Sequence, residues 1–113
     1  MGMLRFRKSS RLLNSSQFAN AYGNGTTLHR GPIRINLVEN GLTHNRLGLS
    51  VPRRAGNAVM RNRIKRLVRE AFRSMADPQA KGYDLVVTVR AHQPLSPEGY
   101  RAMLTEAIRK ASG

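Results

Sequence analysis

The chain has 113 residues, room for one core, because domains cluster near roughly 100–150 residues. Its 20 Lys and Arg against 6 Asp and Glu give a formal net charge of +14, Arg far outnumbers Lys, and Cys is absent. This excludes disulfides, zinc knuckles and thiol chemistry, works against self-association, and points to a polyanionic partner in a reducing, cytoplasmic setting.

The start, Met1 to Lys8, is basic, and no apolar stretch of signal-peptide length follows it. No run approaches the ~20 apolar residues of a membrane-spanning helix. We expect one domain over 1–113, with residues 1–10 a flexible basic arm. Asn14-Ser15-Ser16 supplies helix-capping residues, and a helix should run through Gln17 to Tyr22 until Gly23-Asn24-Gly25 stops it. That glycine pair lies at a helix end instead of between strand and helix, so it reads as a stop and not as a phosphate loop. Phe18 and Tyr22, four apart, share a face.

A short strand near Thr26 to His29 is compatible with Thr-Thr and would be broken by Gly31-Pro32. Ile33, Ile35 and Leu37 alternate with Arg34, Asn36 and Val38, which predicts a strand with one apolar and one mostly polar face. After Asn40-Gly41, Leu47, Leu49 and Val51 alternate with Arg46, Gly48 and Ser50, a strand expected to pair back antiparallel to the preceding one and to end at Pro52. From Ala58 to about Met75 the period becomes helical, with Ile64, Leu67, Val68, Ala71, Phe72 and Met75 on one buried stripe and Asp77-Pro78 closing the helix. Tyr83 to Val89 is nearly all apolar, as suits a strand internal to the sheet. Ser96-Pro97-Glu98 then opens a final helix whose apolar stripe is Tyr100, Met103, Leu104, Ala107, Ile108 and Ala111. Helix, two or three strands, helix, strand, helix argues for an α+β fold with helices covering a sheet.

The sequence offers little for catalysis. His29, His44 and His92 have no spacing that groups them and read as solvated loop residues, and no paired carboxylates or nucleophile constellation emerges. The stretch from Arg53 to Arg73 differs in kind. Opposite its apolar stripe lie Asn62, Arg66, Arg69 and Arg73, with Arg61 and Lys65 bordering on one side and Arg63 on the other. Only Glu70 offers an acidic partner, and like charges at Arg61 with Lys65, Arg66 with Arg69, and Arg69 with Arg73 should cost a few tenths of a kcal/mol each. Helix stability therefore does not explain them, whereas a phosphate chain would neutralise them. Asn62 can read a base edge or a 2′-hydroxyl among these cations, or it can satisfy backbone groups of the first helical turn.

Leu47-Gly48-Leu49-Ser50-Val51, followed by Gly56-Asn57-Ala58-Val59-Met60-Arg61-Asn62-Arg63-Ile64-Lys65-Arg66 and Arg69, resembles the signature of the bacterial ribonuclease P protein component. The likeness extends more loosely to Gln17-Phe18, Tyr22 and Gly25, and to Gly82-Tyr83-Asp84 with the strand after it and Arg90. It implies an αβββαβα fold on a mixed four-stranded sheet with a left-handed crossover, against the usual hand. It also implies a non-catalytic protein subunit of an RNA-based endoribonuclease, one that removes the 5′ leader of precursor tRNA by hydrolysis. The RNA subunit of that assembly carries the active site and its Mg²⁺ ions, so the expected partners are the catalytic RNA and precursor tRNA, with no obligate protein partner and no membrane.

Two surfaces carry over from the resemblance. Arg61, Asn62, Arg63, Lys65, Arg66 and Arg69 match the family's contact with the catalytic RNA. Phe18, Tyr22, Asn36, Arg53 and Arg90 match the cleft that holds the single-stranded leader, where aromatic faces stack bases and arginines follow phosphates without demanding a sequence. Asn36 stands where some members have an aromatic, and Pro52 where a basic or small residue is common. From the residues alone, Phe18 and Tyr22 read instead as an ordinary core-facing pair on a short helix. On charge and element order alone, a structural RNA-binding protein of the ribosome or an RNA chaperone is the alternative. A major-groove DNA reader is disfavoured, because no short turn-linked helix precedes the basic one.

Overall fold

The computed structural model describes residues 14–75 and 81–112; the basic arm at 1–10 and the Asp77-Pro78 helix stop lie outside the described residues. Helix α1, Ser15–Asn24, starts where the sequence places it, because Asn14 and Gln17 form a reciprocal cap. The Gln17 N–H donates to Asn14 Oδ1 at 2.9 Å, and the Asn14 N–H donates to Gln17 Oε1 at 2.8 Å. Gly23 and Asn24 are still helical, and the stop is Gly25. A Cβ at Gly25 would collide with the carbonyls of Leu37 and Ala21, so glycine there allows the end of α1 to rest directly on the sheet.

Strands β1, Thr26–Arg30, and β2, Ile33–Glu39, form an antiparallel hairpin around Gly31-Pro32. Strand β3, Arg46–Ser50, does not pair with β2 as expected. Strand β4, Tyr83–Val89, lies between them, antiparallel to β2 and parallel to β3, giving the order β1-β2-β4-β3. Two physical causes decide this. β4 is the most apolar strand and gains most from a place covered on both faces. Residues 40–45 also form a loop pinned to the start of β4 instead of a tight turn. The Asn40 N–H donates to the Gly82 carbonyl at 3.2 Å, the Gly82 N–H to the Leu42 carbonyl at 2.8 Å, and Asn40 Nδ2 to Asp84 Oδ1 at 2.9 Å. Asp84, 2% exposed, takes two hydrogen bonds from the Arg46 guanidinium at 2.8 and 2.9 Å, which ties β3 to β4. Removing one partner of such a pair strands a buried charge, typically at about 3–5 kcal/mol.

A 3₁₀ turn at Arg53–Ala55 follows β3 and leads into α2, Ala58–Arg73; α3 is Pro97–Ser112. Asn57 caps α2 by accepting the Met60 N–H at 2.8 Å, and Ser96 Oγ accepts the Gly99 N–H at the start of α3 at 3.1 Å. The two helices cover one face of the sheet. Their Ile64, Val68, Phe72, Tyr100 and Leu104 pack with Ile33, Ile35, Leu37, Leu47, Leu85 and Val87 in the main core. Helix α1 crosses the other face, where Ala21 and Phe18 pack on Val86 and Val38. Beyond α1 on that face, the paired row His29, Arg34, Thr88 and Ser50 is left open. The architecture is α+β, three helices on a mixed four-stranded sheet. No helix among the described residues is long and apolar enough to cross a membrane.

Candidate nucleic-acid interface

Helix α2 is divided along its length. Ile64, Val68, Ala71 and Phe72 are buried, whereas Asn62, Arg63, Arg66 and Arg73 are exposed and Arg61, Lys65 and Arg69 are half-buried along the margins. Among the described residues, the ion pairs join Arg30 and Arg109 to Glu106, Arg46 to Asp84 and Lys81 to Glu39, so none involves a cation of this face. The face is thus a row of uncompensated cations held on a rigid element. Arg61 Nε donates to the Gly56 carbonyl at 3.1 Å, which fixes the guanidinium at the helix entrance. Asn62 is exposed, and the task of satisfying the first-turn backbone falls to Asn57. Its amide is therefore not committed to capping.

The second surface lies across the sheet. The Phe18 and Tyr22 rings sit 6.2 Å apart at 43° on one side of α1. Phe18 rests on Gly48, where a Cβ would come within 2.7 Å of its Cζ, so the glycine in β3 makes the seat for the ring. Tyr22 is 44% exposed, so the pair is only half a core contact. Asn14, Ser15, Phe18, Ala19 and Tyr22 line a shallow groove of about 590 Å³. Asn36 is placed differently from its neighbours. It is 4% exposed, shares a row with Val86 and Gly48 in the region α1 covers, and donates from Nδ2 to Thr27 Oγ1 at 2.8 Å, while its Oδ1 is buried without a partner.

Where the open row meets the end of β4, His29, Pro32, Arg34, Arg54, Thr88 and Arg90 line a hollow of about 160 Å³. Three arginines, Arg34, Arg54 and Arg90, thus border one hollow on a polar sheet surface. The family resemblance brings in Arg90 but not Arg34 or Arg54, although the alternation in β2 puts Arg34 on the polar face. Arg53 is exposed on the adjoining 3₁₀ turn but does not line the hollow. Because Arg53 and Arg54 lead straight into α2, positive charge continues from the open sheet face to the helix entrance.

The histidines differ from the expectation of solvated loop residues. His29 lies on β1. His44 is half-buried, with Nε2 sealed off and unpartnered. His92 is bonded at both ring nitrogens, to the Arg90 carbonyl and the Tyr100 hydroxyl. Among the described residues, no three His, Asp or Glu side chains stand close enough to hold a metal ion.

Residues 6–112 match the Ribonuclease P family. A ribonuclease P protein component of Desulfosudis oleivorans is 33% identical over 99% of this chain and 93% of its own length. One from Lachnoclostridium phytofermentans is 41% identical over 74% of this chain and 72% of its own. The RNase P protein of Thermotoga maritima superimposes with a TM-score of 0.69 at 27% identity, covering 100% of both chains. Signature, fold and relatives agree: the chain belongs to the ribonuclease P protein family, the protein subunits of an endoribonuclease.

Proposed function

We propose that the protein binds two RNAs on two faces, anchoring to the catalytic RNA of ribonuclease P through α2 and holding the 5′ leader of precursor tRNA along α1 and the open sheet. The observation that carries this reading is the segregation of groups. Unpaired cations without aromatics occupy the outer face of α2, whereas aromatics followed by cations occupy the opposite side of the sheet. A folded, structured RNA needs phosphate contacts on a rigid face, which Arg61, Arg63, Lys65, Arg66 and Arg69 supply, with Asn62 free to meet a base edge or 2′-hydroxyl. A leader of varying sequence needs stacking and phosphate tracking, which Phe18 and Tyr22 supply at one end and Arg90, Arg34, Arg54 and Arg53 at the other.

The donor set among the described residues does not form a cage for a metal ion. Following the family resemblance, we assign Mg²⁺ to the RNA subunit, and to this chain the task of binding substrate and offsetting phosphate repulsion, which lowers the Mg²⁺ needed to hold two anionic RNAs together. The site of action is the cytoplasm. Purified protein should increase cleavage of precursor tRNA by its RNA partner at low Mg²⁺. No stimulation at any salt concentration would refute the reading, and stimulation that ignored the leader would favour a general RNA chaperone instead.

A further inference from the structure

Arg90 is held from both sides. Its N–H donates to the Pro32 carbonyl in the β1–β2 turn at 3.1 Å, and its carbonyl lies 2.8 Å from His92 Nδ1. On the far side of the imidazole, Nε2 is 2.7 Å from the Tyr100 hydroxyl, and that hydroxyl also receives the Leu95 N–H at 3.2 Å. The two rings meet edge to face, 5.9 Å between centroids. One assignment of protons satisfies every atom. The carbonyl can only accept, so Nδ1 carries the hydrogen; Nε2 is then the acceptor, and the phenol donates to it. Burial raises the phenol above its ordinary value of 10.0, against a smaller opposing effect of the Leu95 N–H, so it keeps the proton it donates.

Tyr100 is fully buried in the core under α3, whereas Arg90 is exposed beside Arg34 and Arg54. The segment between them, from Arg90 to Ser96, has no regular secondary structure, and after the Arg90 N–H bond to Pro32 its ties are those of His92 and Leu95 to Tyr100. We propose that His92 and Tyr100 are positioning residues for leader binding, a relay that fixes the Arg90 backbone to the core and so holds its guanidinium over the hollow at the end of β4. This rests on the leader contact proposed for Arg90. It makes an arginine on an irregular segment as well placed as one on a strand, which a binding site for a flexible single strand requires if order is not to be lost on both sides of the contact.

The test is a thermodynamic cycle on the holoenzyme reconstituted with its RNA subunit, reading affinity for precursor tRNA relative to mature tRNA. His92→Ala and Tyr100→Phe should each lower that ratio about threefold to tenfold, and neither should lower it further in an Arg90→Ala background. His92→Asn, whose amide can still donate to the Arg90 carbonyl, should recover part of the loss. Affinity for the catalytic RNA, carried by α2, should not change in the His92 variants. If Tyr100→Phe proved unfoldable, the His92 variants alone would decide. Equal losses with and without the Arg90 side chain would overturn the relay, as would unchanged ratios in the His92 variants while Arg90→Ala lowers the ratio. If Arg90→Ala itself left the ratio unchanged, the leader contact would fail and the relay with it.

Discussion

The outer face of α2 and the surface formed by α1 with the open sheet are both positive, but they are built in opposite ways. The first comes from one helix, with Asn57 fixing its start and a continuous apolar stripe fixing its rotation, so every cation on it is placed by local sequence. The second is assembled from α1, all four strands, the 3₁₀ turn and the segment after β4, and few of its main contributors are local to one another, as Phe18 is with Tyr22 and Arg53 with Arg54. A surface made by one element tolerates changes elsewhere in the fold. One made by many depends on the sheet topology and on small residues that leave room.

The largest effect should come from the helix. Arg66→Ala with Arg69→Ala should weaken binding to the catalytic RNA by roughly 100-fold at low salt, about tenfold for each lost phosphate contact, and flatten the salt dependence by about two charges. A titration of the RNA at several salt concentrations measures both, and an unchanged slope would remove α2 from the interface. A smaller, one-sided effect is expected at β3. Gly48→Ala forces the Phe18 ring off its seat. It should lower affinity for leader-bearing RNA about fivefold to tenfold, the lower range of one lost base stack, with no change for the catalytic RNA. Equal losses for both RNAs would show that the two surfaces are not independent. Least of all should Asn57→Ala affect RNA. Loss of the cap should cost about 1 kcal/mol of stability, seen as a Tm lower by a few degrees, while both affinities persist at temperatures where the protein is folded.

The contrast also explains what could be read from the sequence. The cationic face of α2 follows from a helical period and a missing set of acidic partners, both of which are local. The caps at Asn14 and Ser96 and the interior position of β4 were legible for the same reason. What was not legible depends on strand order. An Asn40-Gly41 pair between two alternating runs suggests a hairpin, and nothing local reveals that the bonds of Asn40 with Gly82 and Asp84 will draw β4 between β2 and β3. With that order unknown, Arg34, Arg54 and Arg90 could not be brought together, nor could Asn36 be seen to lie buried beside Thr27. His92 gave no signal, because its partner Tyr100 reads as one more apolar position on α3 and its other bond is to a backbone carbonyl.

The central claim is that two faces serve two RNAs, and a crossed pair of variants tests it most directly. Affinities for the catalytic RNA, for precursor tRNA and for mature tRNA would be measured with Phe18→Ala plus Tyr22→Ala and, separately, with Arg66→Ala plus Arg69→Ala. The account predicts that the aromatic variant loses about 30-fold or more for precursor alone, at ~1–3 kcal/mol for each of two lost stacks, and the arginine variant loses binding to the catalytic RNA. Loss of all three affinities in the aromatic variant would place Phe18 and Tyr22 in the core and contradict it.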